Sequence, residues 1–449
     1  MKRMSLMLVA LNAVASLWAE PVVLEAVTRQ CRPLSAKVLV DYDLYGTEGG
    51  CAAIGVSVFS GSLPMPIPTS AISGEVMPVG DGHHQLVIDT SAFPTSGGVI
   101  TDFRVMLTAS AAAYDPQEVL YRVVDLQNGA ISDVTRGMLM SGAMGAVATN
   151  YDWATSWPQN VPTALHCIWL EPASNALYKT SRLVLRKLPA GTFKMGVGDV
   201  RNDGSGRLVT LSKGFSIGVF EMTQAQCKLL SANLSTPYFS HPDYCDTRPM
   251  DMVSYVQIRG ADKGLVWPEN FDRSVDDGSY ISALRVLTHN EGWDLPTEAQ
   301  WEYACRATTK TTYNNGYNGS SSTAHETAAI WVSRNKANSN YGSITDGSTC
   351  DLATGTAGVG SYCPNPWGVF DTHGNVWEWT LDRYSETLSE ETLDPVGVDA
   401  NVQSSSKRVI KGGCYSNGHT NILSGGRDGF KQKDAATGGK YGFRVVLAD

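Results

Sequence analysis

Along residues 22–115 apolar and polar positions alternate with a period of two. Within Lys37 to Tyr45, Val38, Val40, Tyr42 and Leu44 share one face. The same period returns at Ile54, Val56 and Val58, at Leu86 and Ile88, and at Phe103, Val105 and Leu107. Alternation of this kind marks half-buried strands. Clusters of Gly, Pro, Ser and Asp interrupt the runs, among them Pro64-Met65-Pro66 and Gly80-Asp81-Gly82. Short strands separated by turn signals predict an all-β, immunoglobulin-like sandwich over residues 20–115. His83-His84 falls at a turn signal and reads as a solvated turn rather than a metal site.

The pattern weakens over residues 116–181. Residues 121–125 and 167–170 read as strands and the small-residue stretch 137–150 as loop. This segment is a partly β connector that packs on one of its neighbours. A further domain, residues 182–449, opens with the apolar run 182–186 leading into Pro189-Ala-Gly-Thr-Phe-Lys-Met-Gly196. It is rich in Gly, Asn and Trp, and two helices stand out. One covers about residues 223–230. The other starts at Thr297, where Gln300 three positions on completes a capping box. Trp301, Ala304 and Cys305 then share its core-facing side. Loops as long as residues 314–322 need something to hold them, either disulfides or bound cations.

Composition narrows the function classes. The 449 residues carry a net charge of −9 and only 18% charged residues, below the roughly 25% of an ordinary soluble domain. This excludes intrinsic disorder and gives no basic surface for nucleic acid. Lys2 and Arg3 followed by the apolar stretch up to Leu17 and small residues through Ala19 predict an export signal over residues 1–19. No second long apolar segment predicts a membrane span, so the chain is expected to be secreted or periplasmic. Nine cysteines in an exported chain allow disulfides, with at least one thiol left over. Cys31 with Cys51, Cys350 with Cys363 and Cys227 with Cys245 are possible pairs, and the sequence leaves them open.

Several landmarks of the last domain occur in a recognisable order. They are Gly191-Thr-Phe-Lys-Met-Gly196, Thr223-Gln224, Leu295-Pro-Thr-Glu-Ala-Gln-Trp-Glu-Tyr303 and Asn365-Pro-Trp-Gly368. Gly374-Asn-Val-Trp-Glu-Trp379, Arg408-Val-Ile-Lys-Gly-Gly413 and Gly442-Phe-Arg444 follow. Together they resemble the formylglycine-generating enzyme, or sulfatase-modifying factor, family. The resemblance implies an α+β, loop-rich variant of the C-type lectin fold. It also implies oxidation of a sulfatase cysteine to formylglycine by O2 and a copper ion held between two thiolates, soft ligands suited to Cu(I). In the family those cysteines stand at the third and eighth positions after the Ser that follows the Gly-Gly pair. Cys414 occupies the Ser position here, so the two places fall on Asn417 and Ile422, and no cysteine follows Cys414. Copper is therefore not expected. Cys414 is the candidate catalytic residue if any activity persists, with His419 or His373 as possible base; the alternative is a small buried residue replacing Ser.

The resemblance implies two structural calcium sites. One would use the Asn338 and Asp351 side chains with the Ser339 and Ala353 carbonyls. The other would use the Asp371 and Glu378 side chains with the Gly374 and Val376 carbonyls, a mixture of oxygen ligands that suits calcium. Alternatively Asp371 and Glu378 pair with a nearby base such as Arg383. With copper lost, the expected function is a non-catalytic binding module whose polar surface includes Tyr415, Asn417, His419, Asn421 and Arg427. Its partner would be a peptide, a glycan or an envelope protein, although Arg427 also suits a structural role in the core. A divergent formylglycine-generating oxidoreductase is the alternative.

Overall fold

The structure is a computed structural model of the chain. It describes residues 21–30, 36–45, 51–74, 82–93, 102–112, 116–148, 168–197, 205–230, 233–240, 245–260, 274–314, 355–362, 364–385, 392–396, 407–417, 421–431 and 439–448. The export signal, Asn338, Ser339, Asp351, Ala353 and His419 lie outside these residues, as do Cys31, Cys350 and Cys363.

The N-terminal part contains strands β1 (Val22–Gln30), β2 (Lys37–Tyr45), β3 (Cys51–Ser60), β4 (Leu63–Met65), β5 (Ile72–Gly74), β6 (Gly82–Asp89) and β7 (Phe103–Ala112). They form two antiparallel sheets, ordered β1-β2-β6-β5 and β4-β3-β7. Val40, Tyr42 and Leu44 of β2 bury their side chains together with Ile54 and Val58 of β3, Leu86 and Ile88 of β6, and Phe103 and Val105 of β7. One core is thus shared by both sheets, as the alternation predicts. Two details differ. The pair expected in a turn lies in β6, where His84 is buried and its ring stacks at 5.4 Å on Tyr42. Asp41 points away from the core yet is only 7% exposed, because it meets Gln85 and the Lys310 ammonium of the C-terminal part.

The next segment belongs to the C-terminal part. Strands β8 (Val119–Asp125) and β9 (Ile131–Thr135) precede helix α1 (Arg136–Met140). That helix replaces part of the expected loop because the Thr135 hydroxyl caps it by accepting from the Met138 N–H. Gly137 is needed within it, since a Cβ there would lie 2.9 Å from the Pro116 carbonyl oxygen. Strands β10 (Val147–Ala148) and β11 (Ile168–Trp169) pair with each other, and two short helices follow, α2 (Glu171–Ser174) and α3 (Leu177–Thr180).

Strands β12 (Arg182–Leu188), β13 (Gly191–Val197), β14 (Ser205–Leu211) and β15 (Phe215–Gly218) come next, then helices α4 (Gln224–Leu230), α5 (Tyr255–Ile258) and α6 (Tyr280–Thr288). Strand β16 (Trp293–Asp294) leads into helix α7 (Glu298–Arg306). The chain closes with β17 (Trp377–Arg383), β18 (Lys407–Lys411), β19 (Arg427–Lys431), β20 (Tyr441–Gly442) and β21 (Val446–Ala448).

The main sheet runs β16-β21-β15-β12-β8-β9, so the supposed connector supplies two of its six strands. Leu183 and Leu185 of β12 enter one core cluster and Val184 another, which places the sheet between two apolar layers. A strand segment covered on both faces needs consecutive apolar positions, and Leu183-Val184-Leu185 supply them. A second sheet, β19-β18-β17-β20, holds the Trp-Glu-Trp motif. Helix α7 has the predicted capping box between Thr297 and Gln300, with Trp301, Ala304 and Cys305 buried. It crosses between the sheets with carboxylates at Glu298 and Glu302.

Candidate functional site

Strand β18 is followed by Gly412 (φ +87°) and Gly413 (φ +77°), left-handed conformations that favour glycine. A Cβ on Gly413 would stand 2.5 Å from Ile422 Cγ2. The turn is therefore pressed against Ile422, which is 0% exposed. The Cys414 N–H donates to Asn417 Oδ1 at 2.8 Å, and the Asn417 N–H donates to the Cys414 carbonyl at 2.9 Å. Asn417 thus closes a small loop around Cys414, whose buried thiol lies 3.3 Å from the Ser416 hydroxyl. Burial pushes that thiol above its ordinary pKa. The two places marked for thiolates hold a turn-closing amide and a core hydrophobe.

His373 serves a different cysteine. Its Nδ1 meets the Ile422 carbonyl at 2.5 Å, while Nε2 accepts from the Asn314 N–H and lies 3.8 Å from Cys305 Sγ. Burial lowers the imidazole pKa to about 4 and raises the Cys305 thiol to about 11. A neutral thiol beside a neutral imidazole with both nitrogens engaged is a packing arrangement, because a nucleophilic cysteine needs its thiolate. No disulfide joins Cys227 and Cys245, both of which are buried, so that candidate pair is absent. Cys227 faces the apolar core, whereas Cys245 turns toward Lys228.

Behind the turn, Glu221, Asp371 and Glu378 are buried close enough to influence one another. Arg444 grips Glu378 with Nε on Oε2 at 2.5 Å and Nη2 on Oε1 at 2.6 Å, and the Trp301 indole N–H donates to Oε2 at 2.7 Å. Arg444, rather than Arg383, is thus the partner of Glu378. Glu221 accepts from the Asn375 amide and the Val376 N–H, and Asp371 accepts from the Gly360 N–H. Desolvation, with the neighbouring Asp371 and Glu378 charges, holds the Glu221 carboxyl well above its ordinary value. Among the described residues no group of three or more His, Cys, Asp and Glu could hold a metal ion. Both Glu378 oxygens accept from Arg444, and Oε2 also accepts from Trp301.

A second ionic centre lies on α7. Arg427 donates to both Glu298 oxygens at 2.7 and 3.0 Å and to the Ser385 carbonyl. Lys411 and Arg306 close on Glu302, whose carboxyl these cations hold below its ordinary value against the opposing effect of burial. Arg427 is therefore a buried structural arginine and no part of an exposed recognition surface.

Residues 177–449 match the Sulfatase-modifying factor enzyme 1-like domain. The chain belongs to this family. The formylglycine-generating enzyme of Mus musculus is 31% identical over 256 residues, spanning 51% of this chain and 65% of that protein. This chain thus covers just under two thirds of the mouse relative. The Thermomonospora curvata formylglycine-generating enzyme is 33% identical over 263 residues, 51% of this chain and 81% of that protein. Among solved structures, PvdO from Pseudomonas aeruginosa aligns over 59% of this chain and 94% of its own, at 22% identity and a TM-score of 0.42.

On the surface of the sulfatase-modifying-factor domain, Tyr415 meets the Phe239 ring edge-on at 5.3 Å, and Phe239 meets Tyr238 at 5.0 Å. Tyr238 is 60% exposed, and Asn421 is exposed as well. Asp251 anchors this aromatic row by accepting from the Tyr238 and Phe239 N–H groups at 2.6 and 3.2 Å. Sequence reasoning missed Tyr238, Phe239 and Asp251, because no motif marks them. Glu221 lies two residues before the Thr223-Gln224 landmark and Arg444 ends the Gly-Phe-Arg landmark, so their positions were visible though their pairing was not.

Proposed function

We propose that the chain is an exported, non-catalytic member of its family. Its sulfatase-modifying-factor domain, of C-type lectin kind, would act as a binding module beside an immunoglobulin-like β-sandwich. The observation that carries this reading is Ile422, buried against Gly413 where a second copper-binding sulfur would have to stand. A single thiol cannot supply the two-thiolate site that selects Cu(I). The recognition surface is formed by Tyr238 and Tyr415, both backed by the buried Phe239, with the neighbouring Asn421, facing a peptide or glycan of the cell envelope or exterior. Aromatic rings with polar tips suit such recognition. Structural calcium is proposed for the set of Asn338, Ser339, Asp351 and Ala353 and for the set of Asp371, Gly374, Val376 and Glu378.

Incubation with Cu(I), O2 and a peptide containing Cys-x-Pro-x-Arg is expected to give no formylglycine by mass spectrometry. Formylglycine made by the wild type and lost in Cys414→Ala would overturn the reading in favour of a divergent oxidoreductase. Glycan and peptide arrays probed with wild type and Tyr238→Ala test the recognition surface. Cell fractionation tests export, and metal analysis after dialysis tests calcium.

A further inference from the structure

A cavity of about 210 Å³ lies where the N-terminal sheets meet the sulfatase-modifying-factor domain. Gln85 borders it on one side, and Arg186, Lys194, Tyr303 and Trp367 border it on the other. The space is several times the ~30 Å³ that one water occupies in the liquid. Its wall is part aromatic and strongly cationic.

Three of the six lysines and arginines around it are neutralised by carboxylates. Arg136 is held by Glu118 at 2.7 Å, Arg306 by Glu302 at 2.7 Å, and Lys310 by Asp41. Arg186 is different. It is 4% exposed, its guanidinium lies over the Tyr121 ring at 4.7 Å, and its Nε and Nη1 have no hydrogen-bond partner among the described residues. Lys194, on β13, has no carboxylate partner among the described residues either. A buried guanidinium with open donors is a costly arrangement unless something completes it. The planar fork of an arginine matches the two oxygens of a carboxylate.

We infer that this cavity is a binding site for a small organic carboxylate, its oxygens on Arg186 and Lys194 and its apolar body against Tyr303 and Trp367. Because Gln85 and the Lys310–Asp41 pair belong to the same junction, the ligand also fastens the two parts of the chain together.

Titration calorimetry and thermal shift on the full chain, with benzoate as probe, test this. Benzamide serves as the uncharged counterpart and inorganic sulfate as the bare oxyanion. Benzoate is expected to bind at one site and to raise the melting temperature, and benzamide to do neither. Arg186→Gln should weaken benzoate by about tenfold or more, as loss of a hydrogen-bonded charge implies. Should that variant fail to fold, Lys194→Gln, on a half-buried side chain, must still weaken benzoate severalfold while leaving the ligand-free melting temperature in place. The inference is overturned by no benzoate binding at millimolar concentration, by benzamide binding equally well, or by benzoate affinity unchanged in both variants. Sulfate binding without benzoate binding would equally overturn the assignment to a carboxylate.

Discussion

Arg444 and Glu378 face each other through two parallel charge-assisted hydrogen bonds, at 2.5 and 2.6 Å, although 66 residues of chain separate them. Arg444 also donates to the Gly218 and Phe370 carbonyls, so one side chain ties together β15, the segment before Asp371 and the Trp-Glu-Trp strand. Removing it would leave Glu378 buried beside two other carboxylates. Breaking a buried pair from one side costs about 3–5 kcal/mol. Arg444→Met should therefore lower unfolding stability in urea by about that amount, and a loss below ~1 kcal/mol would contradict the structural role given to this pair.

The Gly413 turn gives a second prediction. Alanine there must adopt φ near +77° and place its Cβ 2.5 Å from Ile422 Cγ2. Gly413→Ala should destabilise by more than ~1 kcal/mol. The double variant Gly413→Ala, Ile422→Ala, which removes the opposing methyl groups, should recover part of what the added Cβ costs. Strict additivity of the two losses would show that the close approach is not felt.

Asp251 makes stability depend on pH. Burial raises its carboxyl from an ordinary 3.8 to about 6, and the two N–H donors of Tyr238 and Phe239 only partly offset this. The folded state therefore holds the proton more tightly than the unfolded state does. The resulting stabilisation is present in full below pH 4 and fades as the pH climbs through 6. A shift of this size corresponds to at most about 3 kcal/mol. Compared with Asp251→Asn, wild-type stability should fall between pH 4 and 6.5 and level off above that. A difference that stays flat over this range would remove Asp251 as the cause.

Native-state alkylation addresses the thiols. Cys227, Cys305 and Cys414 are buried with raised pKa values, so few thiolates exist at pH 8 and none is open to reagent. Maleimide labelling followed by peptide mass spectrometry should find all three unmodified in the folded protein and modified in guanidinium. Rapid native labelling of Cys414 would instead point to an open, reactive site and strengthen the enzymatic alternative.

Local chemistry made some of this legible from the chain alone. The strands around Val40 and Leu86 and the Thr297–Gln300 cap are set by neighbours a few residues away, and all were readable. Helix α1 was hidden behind Gly137, whose presence reflects the Pro116 backbone and no local preference for loop. The place of β8 in the main sheet was hidden because its partner β12 begins at Arg182 and the two meet only in the folded state. Arg444 and Arg427 hold the backbone at Gly218, Phe370 and Ser385 from distant parts of the chain, contacts that no local pattern announces. Arg427 shows the same limit. The sequence leaves it open between a recognition residue and a core arginine, and only the approach of Glu298 across 129 residues makes it structural.

The position of β21 has a consequence for how the protein is made. It lies between β16 and β15, inside the sheet that begins with β8, so a piece of chain near residue 447 is wedged among strands synthesised far earlier. Topologies dominated by such distant pairings form slowly. A nascent chain still on the ribosome therefore carries the sheet with an open slot, unable to close until Val446–Ala448 emerge.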